Sequence, residues 1–322
     1  MTHDSITQKN HKIQGARAVV TGGAGFIGSH LAEELAGLGH DTIILDDLSS
    51  GRLENTEGLL KRSGVELIEG SVSDLSLLQE AFRDVHYVFH QAALPSVPRS
   101  IDDPLASHQA NLTGTLRVLI AARNSGVKKV ICASSSSVYG DTSTLPKRED
   151  MPPQPLSPYA VTKVAGEYYC QVFSRVYNLP TVCLRYFNVY GPRQDPDSQY
   201  AAVIPRFLRR LSLGMPPVIF GDGEQTRDFT FVSDVVAANI LAAESDARGV
   251  FNIGGGKRVS VNRLAQLAIR LTGNNGIKPV HESLRPGDVR HSLADISRAG
   301  AFGYEPKYDL EKGLRETIRA LV

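Results

Sequence analysis

The chain has 322 residues, of which 42% are hydrophobic and 21% charged, so it is long enough to bury a sizeable core. Its 35 Lys and Arg residues are balanced by 34 Asp and Glu, so it lacks the basic excess that nucleic-acid binders show. No apolar run approaches the roughly 20 residues of a membrane-spanning helix. We therefore expect neither nucleic acid nor a membrane as a partner.

The N-terminal residues and the cysteines indicate in which cellular compartment the protein is expected. Residues 1–14 are polar and lack the apolar region of a signal peptide, which predicts a disordered lead. The cysteines, Cys132, Cys170 and Cys183, form no Cys-x-x-Cys pair. This favours free thiols in a reducing compartment over a disulfide framework or a thiolate metal site, and predicts a cytoplasmic protein.

Short apolar runs alternate with helical patterns through the first half of the chain. The apolar runs predict strands at 17–20, 41–45, 65–69, 87–89 and 129–133, and the helical patterns predict helices at 27–38, 76–82 and 112–119. Ser157 is a good N-cap and Pro158 a good first helical residue, so a further helix is expected to run to about Tyr177, followed by a strand at 181–184. This alternation predicts a parallel sheet covered on both faces. Beyond Asn188 the pattern loosens into a smaller lobe.

The string TGGAGFIG follows the first strand and opens the first helix. Gly22, Gly25 and Gly28 permit a tight turn, close approach of a pyrophosphate and close helix–strand packing, and the helix N-terminus offers N–H groups to phosphate. Asp46 stands 18 residues beyond Gly28, at the end of the second strand, where an acid binds the adenosine ribose. The combination predicts a Rossmann-type, doubly wound α/β fold that binds NAD in preference to NADP, a preference that Arg52 nearby weakens.

Tyr159 and Lys163 are four residues apart in the first turns of the Ser157-capped helix, on one face. A tyrosine with its ordinary pKa of ~10 is a poor base, but a lysine ammonium and a nicotinamide cation would lower that pKa. The alternative is a surface pair on an amphipathic helix. A serine run, 134–137, ends the fifth strand, where carboxyl ends face the ligand crevice, and this favours the catalytic interpretation over a serine-rich turn.

The sequence supports neither a histidine metal site nor a hydrolase nucleophile. His86 and His90 flank a predicted strand, which would separate them by ~13 Å and predicts no metal site. The Gly-x-Ser-x-Gly nucleophile elbow of hydrolases is absent.

Together these motifs resemble the extended short-chain dehydrogenase/reductase family, in its nucleotide-sugar branch. The resemblance runs from about Ala16 to the end of the chain and includes HQAA, SSSSVYG, YAVTK, RYFNVYGP, GEQTRDF and RPGD. The strings LPSVPRS, PLSPYAVTK, RQDP and GDVRHS are closest to bacterial UDP-N-acetylglucosamine 4-epimerases of surface-polysaccharide synthesis. The implied activity is an isomerase that interconverts UDP-GlcNAc and UDP-GalNAc through a transient 4-keto sugar and bound NADH.

The resemblance also implies site residues. Tyr159 would be the catalytic base for the sugar 4-hydroxyl, Ser135 would share a short hydrogen bond with the same oxygen, and Lys163 would bind the nicotinamide ribose. The residues expected at NAD, besides Tyr159 and Lys163, are Gly22, Gly25, Phe26, Ile27, Gly28, Asp46, Asp47, Ser49, Ser50, Gly51, Ser71, Val72, Gln91, Ala92, Ala93, Asn111 and Phe187. Those expected at the UDP-sugar are Ser96, Arg99, Ser135, Ser136, Ser137, Asn188, Val203, Val218, Phe220, Arg227, Arg285, Asp288 and Ser292.

Within the substrate set, Arg227 and Arg285 suit the diphosphate, because a guanidinium offers paired donors to phosphate oxygens. Ser292 would face the C2 substituent of the sugar, where a small residue leaves room for an N-acetyl group and glucose-restricted relatives carry Tyr. The chain departs from the family at Ser71, where many relatives have Asp, and at Pro95, where some have Lys.

Alternative functions follow from the same family. A 4-epimerase for UDP-glucose or a UDP-uronic acid is the nearest. A 4,6-dehydratase would carry an acid and a base where Ser136 and Ser137 stand. A non-catalytic NAD-sensing module would often lack Tyr159 or Lys163.

The expected organisation is an NAD-binding domain formed by 15–187 with 226–252 and a UDP-sugar lobe formed by 188–225 with 253–322. The resemblance further implies a homodimer, paired through the helix around 112–119 and the helix after Ser157.

Overall fold

The computed structural model describes residues 15–196, 202–283 and 289–321. Its strands, in chain order, are β1 (Arg17–Thr21), β2 (Asp41–Asp46), β3 (Val65–Glu69), β4 (Tyr87–His90), β5 (Lys129–Ser135), β6 (Thr181–Tyr186), β7 (Val189–Tyr190), β8 (Val218–Phe220), β9 (Thr226–Asp228), β10 (Thr230–Phe231), β11 (Gly249–Ile253), β12 (Arg258–Ser260) and β13 (Val280–Glu282). One parallel sheet has the order β11-β6-β5-β4-β1-β2-β3. The strand order reverses beside β1, and ligands bind in the crevice outside the strand ends at such a point. The predicted doubly wound α/β fold is confirmed.

Helices cover both faces of this sheet. In chain order they are α1 (Phe26–Gly37), α2 (Leu75–Ala81), α3 (Val97–Asp102), α4 (Pro104–Ser107), α5 (Gly114–Asn124), α6 (Pro158–Val176), α7 (Val203–Ser212), α8 (Val232–Glu244), α9 (Val261–Leu271), α10 (Ser297–Gly300) and α11 (Leu310–Arg319). Turns of 3₁₀-helix lie at Leu53–Asn55 and Ser136–Tyr139, and a π-helical turn, His108–Thr113, joins α4 to α5. None of the described helices is both long and apolar enough to cross a membrane.

The apolar strands are buried on two sides. On β1, Val20 belongs to the core that includes Leu31 and Leu35 of α1, whereas Val19 belongs to the core that includes Val118 of α5. Because successive side chains of a strand point to opposite faces, a sheet covered on both faces needs continuous apolar runs. This explains why the strands could be read from β-branched runs in the sequence.

Helix α6 begins and ends where the sequence predicts. The Ser157 hydroxyl accepts a hydrogen bond from the backbone N–H of Ala160 at 3.2 Å, and Pro158 is the first helical residue. The helix ends at Val176 and is capped by Tyr177. The cap fixes the start of the helix and therefore where Tyr159 lies.

Beyond β6 the structure is less regular. The strand pairs β7–β10, β8–β13 and β9–β12 are separate small sheets, and α7, α9 and α11 contribute to a core that includes Phe207, Leu208, Leu264 and Leu314. The predicted second lobe and the bounds of the two domains stay a prediction. Strand β11 returns the chain to the central sheet beside β6. No sequence pattern had predicted that strand.

Candidate active site

The glycine-rich turn lies at the reversal point of the sheet. Gly22 has a φ of +68°, and a Cβ there would lie 2.6 Å from the backbone nitrogen of Ala92. A Cβ on Gly28 would lie 2.0 Å from the carbonyl oxygen of Gly22, so α1 packs directly on the turn. Helix α1 starts after Gly25 without a side-chain cap. Its first N–H groups are therefore left for an anion such as a pyrophosphate.

Asp46 is buried beside this turn. Its Oδ2 accepts a hydrogen bond from the backbone N–H of Ala24 at 2.9 Å, and its Oδ1 accepts one from Leu48 at 2.9 Å. Burial raises the pKa of Asp46, and these two bonds offset part of the rise. A Cβ on Gly51 would lie 2.6 Å from Oδ1, so only glycine lets the following loop pass this close. The acid thus holds the turn and the loop together.

Arg52, which weakened the prediction of NAD over NADP, has an acidic partner. Its Nη2 lies 3.0 Å from Oδ1 of Asp195, in the 191–196 segment of the second lobe. That segment is also tied to α1, where Arg193 pairs with Glu33 at 2.5 Å. Arg52 is therefore directed toward a carboxylate, which reduces its value as a partner for a 2′-phosphate.

The predicted catalytic residues come together at the carboxyl end of β5. Burial raises the pKa of the Tyr159 phenol, and a hydrogen bond with the Ser135 side chain offsets part of that rise. The Lys163 Nζ donates to the carbonyl oxygen of Ala133 at 2.9 Å and lies 5.8 Å from the centroid of the Tyr159 ring. Burial lowers the pKa of Lys163 to about 8.

This geometry corrects one expectation. In the protein chain itself the pKa of Tyr159 is raised, not lowered, because burial outweighs the contact with Ser135. Lys163 points to the Ala133 carbonyl and is not among the groups that shift this pKa. A lowered Tyr159 pKa therefore depends on the charge that a bound cofactor brings.

A second hydroxyl beside this trio is unsatisfied. The backbone N–H of Ser137 donates to Ser135 Oγ at 3.1 Å, but the Ser137 Oγ is buried and has no hydrogen-bond partner among the described residues. Leaving a buried hydroxyl unpaired costs about 1–3 kcal/mol. Ser137 and its neighbour Ser136 therefore fit a site that receives a polar ligand.

The remaining cofactor candidates surround the strand ends. Gln91, the first of the 91–93 segment after β4, donates to Asn239 at 3.1 Å and accepts from the Tyr186 hydroxyl at 3.2 Å. Asn111 lies in the π-helical turn, where its Oδ1 accepts from Leu94 at 2.7 Å. The other candidates occupy the turns after β2, β3 and β6, namely Asp47, Ser49, Ser50, Ser71, Val72 and Phe187.

Three predicted substrate residues converge on β9. The Asn188 side chain donates to the carbonyl oxygen of Asp228 at 3.1 Å, and the backbone N–H of Ser292 donates to Thr226 at 3.0 Å. Arg227 lies between these two β9 residues. Ser292 is buried, with 8% exposure.

Sequence reasoning missed the side chain that organises this cluster. Asp228 has 0% exposure, and its carboxylate accepts from Gly255 at 2.7 Å, Gly256 at 3.1 Å and Ala294 at 3.0 Å. Burial raises its pKa to about 6. The sequence signal was only the place of this acid in the GEQTRDF string, directly after Arg227.

The other substrate candidates are more scattered. Val203 begins α7, Val218 and Phe220 are the ends of β8, and the Ser96 hydroxyl caps α3 by accepting from the backbone N–H of Arg99 at 3.1 Å. Arg285 and Asp288 lie outside the described residues, as does the predicted disordered lead at 1–14.

The histidines serve hydrogen bonding. His90 lies 2.8 Å from the Thr21 hydroxyl and 2.9 Å from that of Thr115, and burial lowers its pKa to about 4. His86 accepts from the backbone N–H of Arg17 at 3.1 Å. Across the described ranges, no group of three or more His, Cys, Asp or Glu side chains is arranged to hold a metal ion.

Known proteins match this chain over nearly its whole length. Residues 18–254 match the model of the NAD dependent epimerase/dehydratase family. The UDP-glucose 4-epimerase of Mycolicibacterium smegmatis is 41% identical, covering 94% of this chain and 97% of that protein. The solved UDP-N-acetylglucosamine 4-epimerase of Methanobrevibacter ruminantium M1, in complex with UDP-N-acetylmuramic acid, has a TM-score of 0.92 and 43% identity, covering 96% and 98% of the two chains. The solved UDP-glucose 4-epimerase of Thermotoga maritima, with UDP-glucose, has a TM-score of 0.90 and 41% identity, covering 95% and 98%.

Proposed function

Because the chain belongs to the NAD dependent epimerase/dehydratase family and is an NAD-dependent nucleotide-sugar 4-epimerase, we propose that it interconverts UDP-GlcNAc and UDP-GalNAc. The observation that carries the choice of sugar is Ser292, a small buried residue on the segment bonded to β9, next to Arg227. A small wall residue leaves volume for an N-acetyl group that a tyrosine would fill. A solved relative named for UDP-N-acetylglucosamine supports the same choice.

The residues present fit NAD. The uncapped N-terminus of α1 suits the pyrophosphate, Asp46 suits the adenosine ribose, and the Arg52–Asp195 pair accords with a cofactor that lacks a 2′-phosphate. NAD, when bound, supplies the hydride acceptor and donor that inversion at C4 requires. Lys163 would hold the nicotinamide ribose. The charge that the bound cofactor brings would favour the Tyr159 phenolate.

The chain's own residues would handle the proton and the sugar. Tyr159 would take the proton of the 4-hydroxyl and return it, while Ser135 holds the same oxygen by a hydrogen bond. Arg227 would hold the diphosphate, which lets the 4-keto sugar turn and present its other face. UDP must stay bound through this rotation, so most substrate binding energy should come from the nucleotide half.

The alternatives differ in their support. A UDP-glucose 4-epimerase is favoured by the names of several relatives, and a UDP-uronic acid 4-epimerase would need a cation at the C6 carboxylate. A 4,6-dehydratase would need an acid and a base where this chain has Ser136 and Ser137, whose hydroxyl groups are poor proton-transfer catalysts. The intact pair of Tyr159 and Lys163 argues against a non-catalytic module.

The direct test is to incubate the purified protein separately with UDP-GlcNAc, UDP-GalNAc, UDP-glucose, UDP-galactose and UDP-glucuronate, and to follow C4 epimers by proton NMR. We expect the acetylated pair to give the highest kcat/KM. Turnover of only the non-acetylated pair, or only of the uronic acid, would overturn the proposed substrate. Release of a 4-keto-6-deoxy product would overturn the reaction itself.

An apolar face supports the proposed homodimer. Leu105 of α4 is 81% exposed, and Tyr168, Val172 and Val176 of α6 form an exposed stripe at helical spacing. Covering such a face with a second copy would bury it. Light scattering should give twice the 34.9 kDa chain mass, and Val172→Glu should give the monomer. We also propose a cytoplasmic location, which the free cysteines support, and a role in supplying polysaccharide precursors.

A further inference from the structure

A buried ion pair lies directly behind Ser135, Tyr159 and Lys163. Glu167 of α6 and Arg185 of β6 are only 3% and 4% exposed. The Glu167 carboxylate accepts from Nε of Arg185 at 2.8 Å and from its Nη2 at 2.7 Å. The Ser134 hydroxyl donates to the same carboxylate at 2.5 Å. One carboxylate thus joins α6 to the ends of two neighbouring strands.

The connected positions are those that set the predicted catalytic geometry. Ser134 directly precedes Ser135 at the end of β5, and Glu167 follows Lys163 by four residues and Tyr159 by eight, one and two turns along the same helix. The Ser135 side chain, at the end of β5, lowers the pKa of Tyr159 on α6, so this interaction also joins β5 and α6. The link from Ser134 to Glu167 spans the same two elements.

The cationic partner is itself held in place. The Arg185 guanidinium lies 4.7 Å from the centroid of the Tyr139 ring, and the Tyr139 hydroxyl donates to Asn252 at 2.7 Å. Tyr139 ends the 3₁₀ turn that begins at Ser136. The ion pair is therefore fixed from the serine turn as well as from the sheet.

Stability alone does not account for this arrangement. Taking two charges out of water costs about as much as their attraction returns, and well-packed apolar replacements of such pairs are often neutral or stabilising. What the pair offers is fixed direction, because a carboxylate and a guanidinium meet in one bidentate geometry.

We propose that Glu167 is a positioning residue of the epimerase: through Ser134 and Arg185 it fixes the end of β5 against α6 and so sets the position of the Ser135 side chain relative to the Tyr159 side chain. The inference rests on the roles proposed above for Ser135 and Tyr159.

The test compares three variants. The double variant Glu167→Leu with Arg185→Met replaces the ion pair by apolar side chains, and Ser134→Ala removes only the link to β5. Asp234→Asn is the matched control, because Asp234 is also buried and anchors the backbone N–H groups of Lys307 and Tyr308 by hydrogen bonds, away from the trio. The readouts are melting temperature, kcat, KM for UDP-GlcNAc and the pKa of Tyr159, followed by NMR of ring-labelled tyrosine and assigned with Tyr159→Phe.

For the double variant we expect a fall in kcat on the order of 100-fold, as small misplacements of reacting groups produce, with little change in KM. The pKa of Tyr159 should rise, because the Ser135 contact that lowers it is lost. Ser134→Ala should change kcat and the Tyr159 pKa in the same directions by less. Asp234→Asn should lower the melting temperature and leave both unchanged.

A folded double variant with wild-type kcat and wild-type Tyr159 pKa would overturn the proposal. If that variant does not fold, unchanged values in Ser134→Ala would overturn it equally. Should the wild-type protein epimerise none of the sugars, the proposed function fails, while the Tyr159 titration still decides whether Glu167 positions the pair.

Discussion

In the seven-stranded sheet the predicted cofactor and catalytic residues stand at the ends of buried strands, whereas in the second lobe the predicted substrate residues are gathered by one three-residue strand and one carboxylate. Asp46 and Ser135 each end a strand whose direction is fixed by pairing with its neighbours. Arg227 and Ser292 owe their places to β9 and to the three hydrogen bonds that Asp228 accepts.

This difference suggests a division of labour. In the proposed mechanism the sheet would carry the cofactor and the proton-transfer groups, which need fixed geometry throughout the cycle. The second lobe would carry the sugar side, where the 4-keto sugar would have to turn. Substitutions in the sheet should therefore affect turnover and cofactor binding, and substitutions in the lobe should affect which sugar is accepted.

The largest effect is expected at Tyr159. Tyr159→Phe removes the hydroxyl that transfers the proton and keeps the ring, so kcat should fall by ~10²–10⁴-fold while UDP-sugar binding persists. Quenched time courses analysed by NMR give kcat, and isothermal titration calorimetry with UDP gives the affinity for UDP. Tyr177→Phe, at the other end of α6, should behave as wild type. Wild-type turnover by Tyr159→Phe would show that this family mechanism does not operate here.

Much of the sheet half was predictable from the sequence, for a physical reason. Buried parallel strands require continuous apolar runs, and the Ser157–Pro158 pair marks the start of α6, so strand ends and the Tyr159–Lys163 face follow from local patterns. The role of Asp228 could not be predicted, because its partners Gly255 and Ala294 are distant in sequence. Strand β11 was missed because Gly249 and Asn252, residue types that are depleted in strands, interrupt its short apolar run.

The next effect concerns how the free energy of unfolding depends on pH through His90, a buried residue of the sheet half. Burial lowers the pKa of His90 from 6.5 to about 4, so between these pH values the unfolded chain binds a proton that folded His90 does not. The free energy of unfolding should therefore fall by about 3 kcal/mol from this group as the pH drops from 6.5 to 4.

Urea titrations across that range measure the slope. His90→Gln keeps hydrogen-bonding capacity and removes the titration, so its unfolding free energy should fall less steeply with acidification. Asp228, whose pKa is raised to about 6, acts in the opposite sense in both proteins and cancels in the comparison. Equal slopes for the two proteins would contradict the assigned His90 contribution.

A substitution in the lobe should change the choice of sugar. Ser292→Tyr fills the volume proposed for the N-acetyl group, and overfilling a packed site costs about 1–3 kcal/mol, so kcat/KM for UDP-GlcNAc should fall by roughly tenfold to 100-fold. Activity on UDP-galactose should persist. Ser292→Ala is the matched control and should keep the acetylated pair. Equal loss on both pairs would indicate a packing defect, and no loss would show that Ser292 is not the gate.

The smallest effect is expected for the cofactor preference. Asp46→Asn keeps the shape of the side chain but loses the charge that accepts from a ribose diol and repels a 2′-phosphate, so NAD affinity should fall about tenfold. NADP binding should improve, and adding Asp195→Asn should improve it further by releasing Arg52 from its ion pair. Fluorescence titrations with both cofactors measure the ratio, with Asp41→Asn, at the opposite end of β2, as the control. KM for UDP-GlcNAc should hardly change, because the sugar side depends on β9. A matching change in that KM would mean that the two regions are not separate in function, and an unchanged cofactor ratio would remove Asp46 from the ribose site.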